Sequence, residues 1–81
     1  MRLPRDVDAS ELIKALHRIG YRTVRQTGSH IRLQTDHPQP HSLTVPNHAP
    51  LKLGTLAAIL ADVAEQRGVS KAALAEMLFG A

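Results

Sequence analysis

Apolar residues recur at Leu12, Ile13, Leu16 and Ile19, steps of three and four that mark one face of a helix. Asp8 stands where an N-cap belongs, and Glu11 three residues on completes a capping box. Lys14, His17 and Arg18 fall on the wet side, and Gly20 supplies a left-handed stop. The pattern then shortens to a period of two. Tyr21 to Gln26 is rich in strand formers but alternates imperfectly, and Thr27-Gly28 makes a turn. Ser29 to Thr35 alternates cleanly, with Ile31 and Leu33 on one face and His30, Arg32 and Gln34 on the other. Asp36 to Pro40 is a proline loop. A third strand, His41 to Val45, turns Leu43 and Val45 inward and ends at Pro46.

Helical spacing returns after the loop Asn47–Lys52. Leu56, Ile59, Leu60 and Val63 form the apolar face of a helix over 53–66, which Gly68 terminates. Ser70 caps a short third helix. Val69 and Leu74 sit at the spacing of a hydrophobic staple, and Leu74, Met77 and Leu78 form its apolar side. The order is α-β-β-β-α plus a terminal α, without repeats. The predicted class is α+β: a three-stranded antiparallel sheet with helices on one face, which buries every stripe above. The other face of the sheet is left open, and it carries His30 and Arg32.

The chain has 81 residues, the size of one domain with little room for a deep pocket or a large cofactor. Its chemistry is therefore expected on an open face, against a substrate larger than the site. Only Tyr21 and Phe79 are aromatic, so the core is built from Leu, Ile, Val and Ala. A formal charge of +3 favours a polyanionic partner. The absence of cysteine excludes a disulfide scaffold, a thiolate zinc site and a Cys nucleophile. No apolar run approaches the ~20 residues of a membrane span, and MRLPRDVDAS lacks the apolar stretch of a signal peptide. A cytoplasmic protein without cofactor is the expectation.

Two segments carry a resemblance. Arg25-Gln26-Thr27-Gly28-Ser29-His30 is similar to the RQxGSH strand signature of the HicA toxin family. Val45-Pro46-Asn47-His48, followed by Gly54-Thr55-Leu56 and Ile59-Leu60, resembles the VPxH…GTLxxIL signature of the same family. Where the family commonly has an aromatic or large residue shortly after the GSH histidine, this chain has Leu33 and Gln34. The resemblance implies a double-stranded-RNA-binding-like fold and a toxin that cleaves mRNA, inhibiting translation and growth. It further implies a HicB-type antitoxin as partner, with higher assemblies formed only in its company, and His30 as the catalytic residue.

The residues support that role on their own terms. Metal-free RNA cleavage needs a base for the ribose 2′-hydroxyl and an acid for the leaving oxygen, and an imidazole with pKa near ~6.5 serves as either. Strand parity points His30 outward, and Gly28 opens the backbone to a phosphate. Arg32 shares the face of His30 and is suited to hold a phosphate. Arg25, Ser29 and Lys52 complete the expected RNA-binding set with Gly28 and Arg32, and Arg22 adds to the basic cluster. His48, close before the second helix, is a second proton-transfer group or a loop cap. Ser29 precedes His30, so alternation turns its side chain away; a turn hydrogen bond is its expected task. His37 and His41 flank the Pro-Gln-Pro loop but lack a third ligand, which leaves no metal site and a solvated loop.

Two other readings compete. Residues 54–79 also resemble a helix-turn-helix, the mark of a DNA-binding regulator. Its second helix, however, begins Lys71-Ala72-Ala73 and offers little to read base edges. A non-catalytic RNA-binding module would keep the fold and drop the cleavage.

Overall fold

A computed structural model describes residues 4–80; Met1–Leu3 of the N-terminal stretch and Ala81 lie outside the described residues. The elements follow the order α1 (Ala9–Arg18), β1 (Arg22–Thr27), β2 (His30–Thr35), β3 (His41–Pro46), α2 (Leu53–Arg67) and α3 (Lys71–Phe79). This is the α+β architecture expected, with one antiparallel sheet in the order β1-β2-β3. Asp8 and Glu11 form the capping box of α1, the Asp8 N–H donating to Glu11 Oε1 at 3.4 Å. Ser70 caps α3 by accepting from the Ala73 N–H at 3.0 Å. Gly68 ends α2 in the left-handed region at φ 68°.

All three helices lie on one side of the sheet. Leu12 and Leu16 of α1, Leu56, Leu60 and Val63 of α2, and Leu74 and Leu78 of α3 meet Leu33, Leu43 and Val45 of the strands in one apolar core. In β2 the burial alternates strictly: Ile31, Leu33 and Thr35 are buried, His30, Arg32 and Gln34 exposed. Thr35 is the one polar side chain fully inside among the described residues, and its hydroxyl accepts from the His37 N–H at 3.3 Å. Arg18 ties the last turn of α3 to α1 by donating from Nη2 to the Leu78 carbonyl at 2.8 Å.

Four details depart from the sequence pattern. Tyr21 precedes the first strand and is buried at its entry. Met77 is 48% exposed and Ala75 takes its place inside, because the buried stripe of α3 runs through Leu74, Ala75 and Leu78. Val69 also remains at the surface.

The fourth departure concerns β1, whose six residues are all exposed. Opposite β2 the ladder pairs Arg22 with Gln34, Thr23 with Leu33, and then Arg25 with Arg32. Val24 is the supernumerary residue of a β-bulge, and it resets the alternation. Arg22 and Arg25, three positions apart, therefore face the same way, across the sheet from the helices. α1 and α2 pack against β3 rather than β1, so the helix-side residues of β1 stay uncovered. Thr23 meets only the rim of α1, where its Oγ1 lies 3.0 Å from His17 Nε2.

Candidate functional site

The open sheet face is built by register. β2 lies in the middle, so each of its outward residues has a neighbour on both sides. His30 is flanked by Thr27 and Pro46, and Arg32 by Arg25 and Thr44. Arg25, Thr27, His30, Arg32 and Thr44 together line a shallow hollow of about 220 Å³. Arg32 Nη1 donates to Thr44 Oγ1 at 2.9 Å across the β2/β3 ladder. The hollow contains two guanidinium groups, an imidazole and two hydroxyls, and no carboxylate lines it. Asp36, the acidic residue that follows β2, is engaged elsewhere, 3.2 Å from Arg22 Nη1. This donor set suits an anion and is a poor cradle for a cation. Among the described residues no group of three or more His, Cys, Asp or Glu side chains is placed to hold a metal ion.

The hairpin that delivers His30 depends on Gly28. Thr27 pairs with His30, so Gly28 and Ser29 alone make the turn. Gly28 has φ 56° while Ser29 stays out of that region, the backbone pattern of a type II′ hairpin with Gly first. A Cβ built on Gly28 would meet nothing within 4 Å, so conformation and not crowding is what calls for glycine here. Ser29 acts through its backbone: its carbonyl accepts from the Asn47 N–H at 2.7 Å. That bond joins the two sequence motifs, Gly28-Ser29-His30 and Val45-Pro46-Asn47-His48, at one end of the sheet.

The other expected site residues are placed differently. His48 is exposed and does not line the hollow. Its carbonyl accepts from the Ala9 N–H at 3.0 Å and so anchors the start of α1. Lys52 is the N-cap of α2, away from the hollow-lining set. Thr27 and Thr44 also line the hollow, and neither is among the residues expected from the sequence. Thr44 is exposed between the buried Leu43 and Val45, and a lone threonine carries no motif.

His41 corrects the reading of a solvated loop histidine. It opens β3 half-buried, with Nδ1 2.8 Å from the Tyr21 hydroxyl and Nε2 3.1 Å from Asp62 Oδ1. The Tyr21 and His41 rings meet edge to face at 5.9 Å, and the Arg67 guanidinium lies 5.7 Å from the Tyr21 ring centre while donating to the Ile19 carbonyl. Burial raises the Tyr21 phenol above its ordinary 10.0; nearby Arg67 opposes the rise and Asp62 adds to it. The cluster links the entry of β1, the start of β3 and the middle of α2. His37 is exposed, and its carbonyl accepts from Gln66 Nε2 at 3.2 Å.

The helix-turn-helix segment exists as helices, but the outer side of α3 presents Ala72, Ala73, Glu76 and Met77. Such a surface has no side chain suited to base edges, and Glu76 repels phosphate.

This is a small α+β protein that keeps its apolar stripes on one side of a sheet and an imidazole with two arginines on the open other side. The family profile described as "HicA toxin of bacterial toxin-antitoxin" matches residues 9–65, more than half of the chain and all of α1 through most of α2. The chain belongs to this toxin family, as its two motifs implied. No curated protein and no solved structure matches it. Among the described residues no helix is long and apolar enough to cross a membrane.

Proposed function

We propose that this toxin is a metal-independent endoribonuclease that cleaves mRNA in the cytoplasm, with His30 as its catalytic residue. The observation that carries the reading is the shared hollow of His30, Arg25 and Arg32, on the sheet face away from the core and without a carboxylate. A phosphodiester seated there has both arginines at its oxygens. His30 takes the proton of the ribose 2′-hydroxyl, the 2′-oxygen bonds to phosphorus, and the bond from phosphorus to the 5′-oxygen breaks. The 5′-oxygen leaves with a proton from a second donor; His48, at the same end of the sheet but outside the hollow, is the candidate for that role. The products are a 2′,3′-cyclic phosphate and a free 5′-hydroxyl. The arginines neutralise charge on the five-coordinate phosphorus. Gly28 and Ser29 contribute backbone at the turn, and Lys52 adds charge near the start of α2.

The same face is the surface a HicB-type antitoxin has to cover. The hollow is too shallow for a small plug to seal. Tight blocking therefore calls for an interface of roughly 800 Å² per partner, spread over the sheet face.

The test is cleavage of a defined RNA by the purified chain and by its His30→Ala variant. Cleavage and growth inhibition should vanish in the variant while stability changes by less than ~1 kcal/mol, as for an exposed side chain without partners. A folded variant that still cuts RNA removes His30 from the mechanism. RNA bound but left intact by the wild-type chain favours the non-catalytic module instead.

A further inference from the structure

We infer that Thr44 is a positioning residue, holding the Arg32 guanidinium over the hollow; the inference rests on the anion-binding reading of that face. Arg32 is the central cation of the site and the one with most reason to leave it. Its cross-strand neighbour on β1 is Arg25, a like charge on the same face. No carboxylate lines the hollow to hold either side chain. An arginine in that situation lowers its repulsion by swinging its long stem toward solvent.

What opposes this is the neighbour on the other strand. Thr44 is the direct partner of Arg32 in the β2/β3 register, and its Oγ1 accepts from Arg32 Nη1 at 2.9 Å. Threonine suits the task because branching at Cβ restricts its first side-chain torsion, so the hydroxyl keeps one aim. The strand beneath it is fixed, with Leu43 and Val45 buried on either side. The bond engages one nitrogen and leaves the rest of the planar fork for a phosphate. Thr44 therefore acts through Arg32, and substrate alignment is what it controls.

Thr44→Val keeps the shape and the strand propensity and removes the acceptor. Its kcat/KM for RNA should fall about tenfold, the scale of one hydrogen bond to a charged group. Thr44→Ser should recover most of the loss. In an Arg32→Gln background Thr44→Val should cost nothing further. Thr44→Ala repeats the comparison if the valine variant fails to fold. A second readout needs no catalysis: nitrogen-15 NMR of the arginine side chains in the His30→Ala chain. Arg32 should show hindered guanidinium rotation that is lost on Thr44→Val and regained with Ser. Wild-type kcat/KM in Thr44→Val, or an equal loss with and without Arg32, overturns the inference. So does an Arg32 signal that ignores residue 44. Hindered rotation of Arg32 in the His30→Ala chain, together with a wild-type chain that cuts no RNA, leaves Thr44 in its role and refutes the proposed activity instead.

Discussion

Replacing Arg25 by Gln removes one of two like charges that the β1/β2 ladder sets face to face on an open surface. Directly opposed like charges on a sheet are destabilising, by roughly 0.2–1 kcal/mol. Coulomb's law gives the same scale: two unit charges about 6 Å apart in water repel by about 0.7 kcal/mol. At physiological ionic strength, with a Debye length of about 8 Å, roughly 0.3 kcal/mol survives. Glutamine keeps most of the aliphatic stem, so little packing is lost. The variant should therefore melt higher than its parent by about 3–5 °C at low salt and by only about 1–2 °C at physiological salt. Lys52→Gln, at the α2 cap and outside the hollow, should show no such salt-dependent gain. The same Arg25→Gln change should weaken RNA binding and flatten the salt dependence of log K by about 0.7, one phosphate contact on a single strand. Thermal melts across a salt series and anisotropy with a labelled RNA, both in the His30→Ala chain, measure the two effects together. A melting temperature unchanged or lowered at low salt, or an unaltered salt slope, refutes the view that the arginines are held in opposition for an anion.

Cleavage should persist in excess EDTA and leave 2′,3′-cyclic phosphate ends or the 3′-phosphate derived from them; activity lost to chelator and restored by zinc or magnesium contradicts the proton-transfer scheme. Hydrogen exchange with the antitoxin bound should protect Ser29 to Gln34 and the loop around His48, and RNA should no longer bind; protection confined to α3 with cleavage intact rules out occlusion of the His30 face. Tyr21 keeps its proton more firmly folded than unfolded, since burial raises its pKa. Its contribution to stability is whole below about pH 10, the unfolded value, and declines as pH climbs from there through the folded one. Tyr21→Phe should lower stability by about 1 kcal/mol at neutral pH through the lost bond to His41 and flatten the alkaline decline, which urea titrations at pH 8 and above will show.

The elements that repeat a simple period were legible in the sequence. Asp8 and Glu11 announced the start of α1, and the alternation of β2 named both the buried residues and the outward His30 and Arg32. β1 resisted because a bulge is a defect in the period by which strands are read, and Val24 is an ordinary strand former. The sequence shows Arg25 as basic but does not aim it. His41 was misjudged because its partners, Tyr21 and Asp62, are 20 and 21 residues away. No local pattern brings them together; the third dimension does. His48 was found by its motif, and what the fold visibly makes of it is a backbone anchor for α1.

Because Val24 is surplus to the ladder, insertions and deletions weigh unequally on the two strands of this hairpin. Loss of Val24 straightens β1 but returns Thr23 and Arg25 to successive rungs, one inward and one outward. Loss of a residue inside β2 exchanges an outward side chain for a core leucine and inverts everything beyond it. A library of single-codon deletions should thus find a tolerant point at 24 beside an intolerant stretch from 30 to 35. Substitutions alone would score the two strands by side chain and miss the distinction. In this hairpin the reading frame of the sheet is loosely kept on the edge and strictly kept in the middle, so length variation in descendants of this chain has one narrow gate through which to enter.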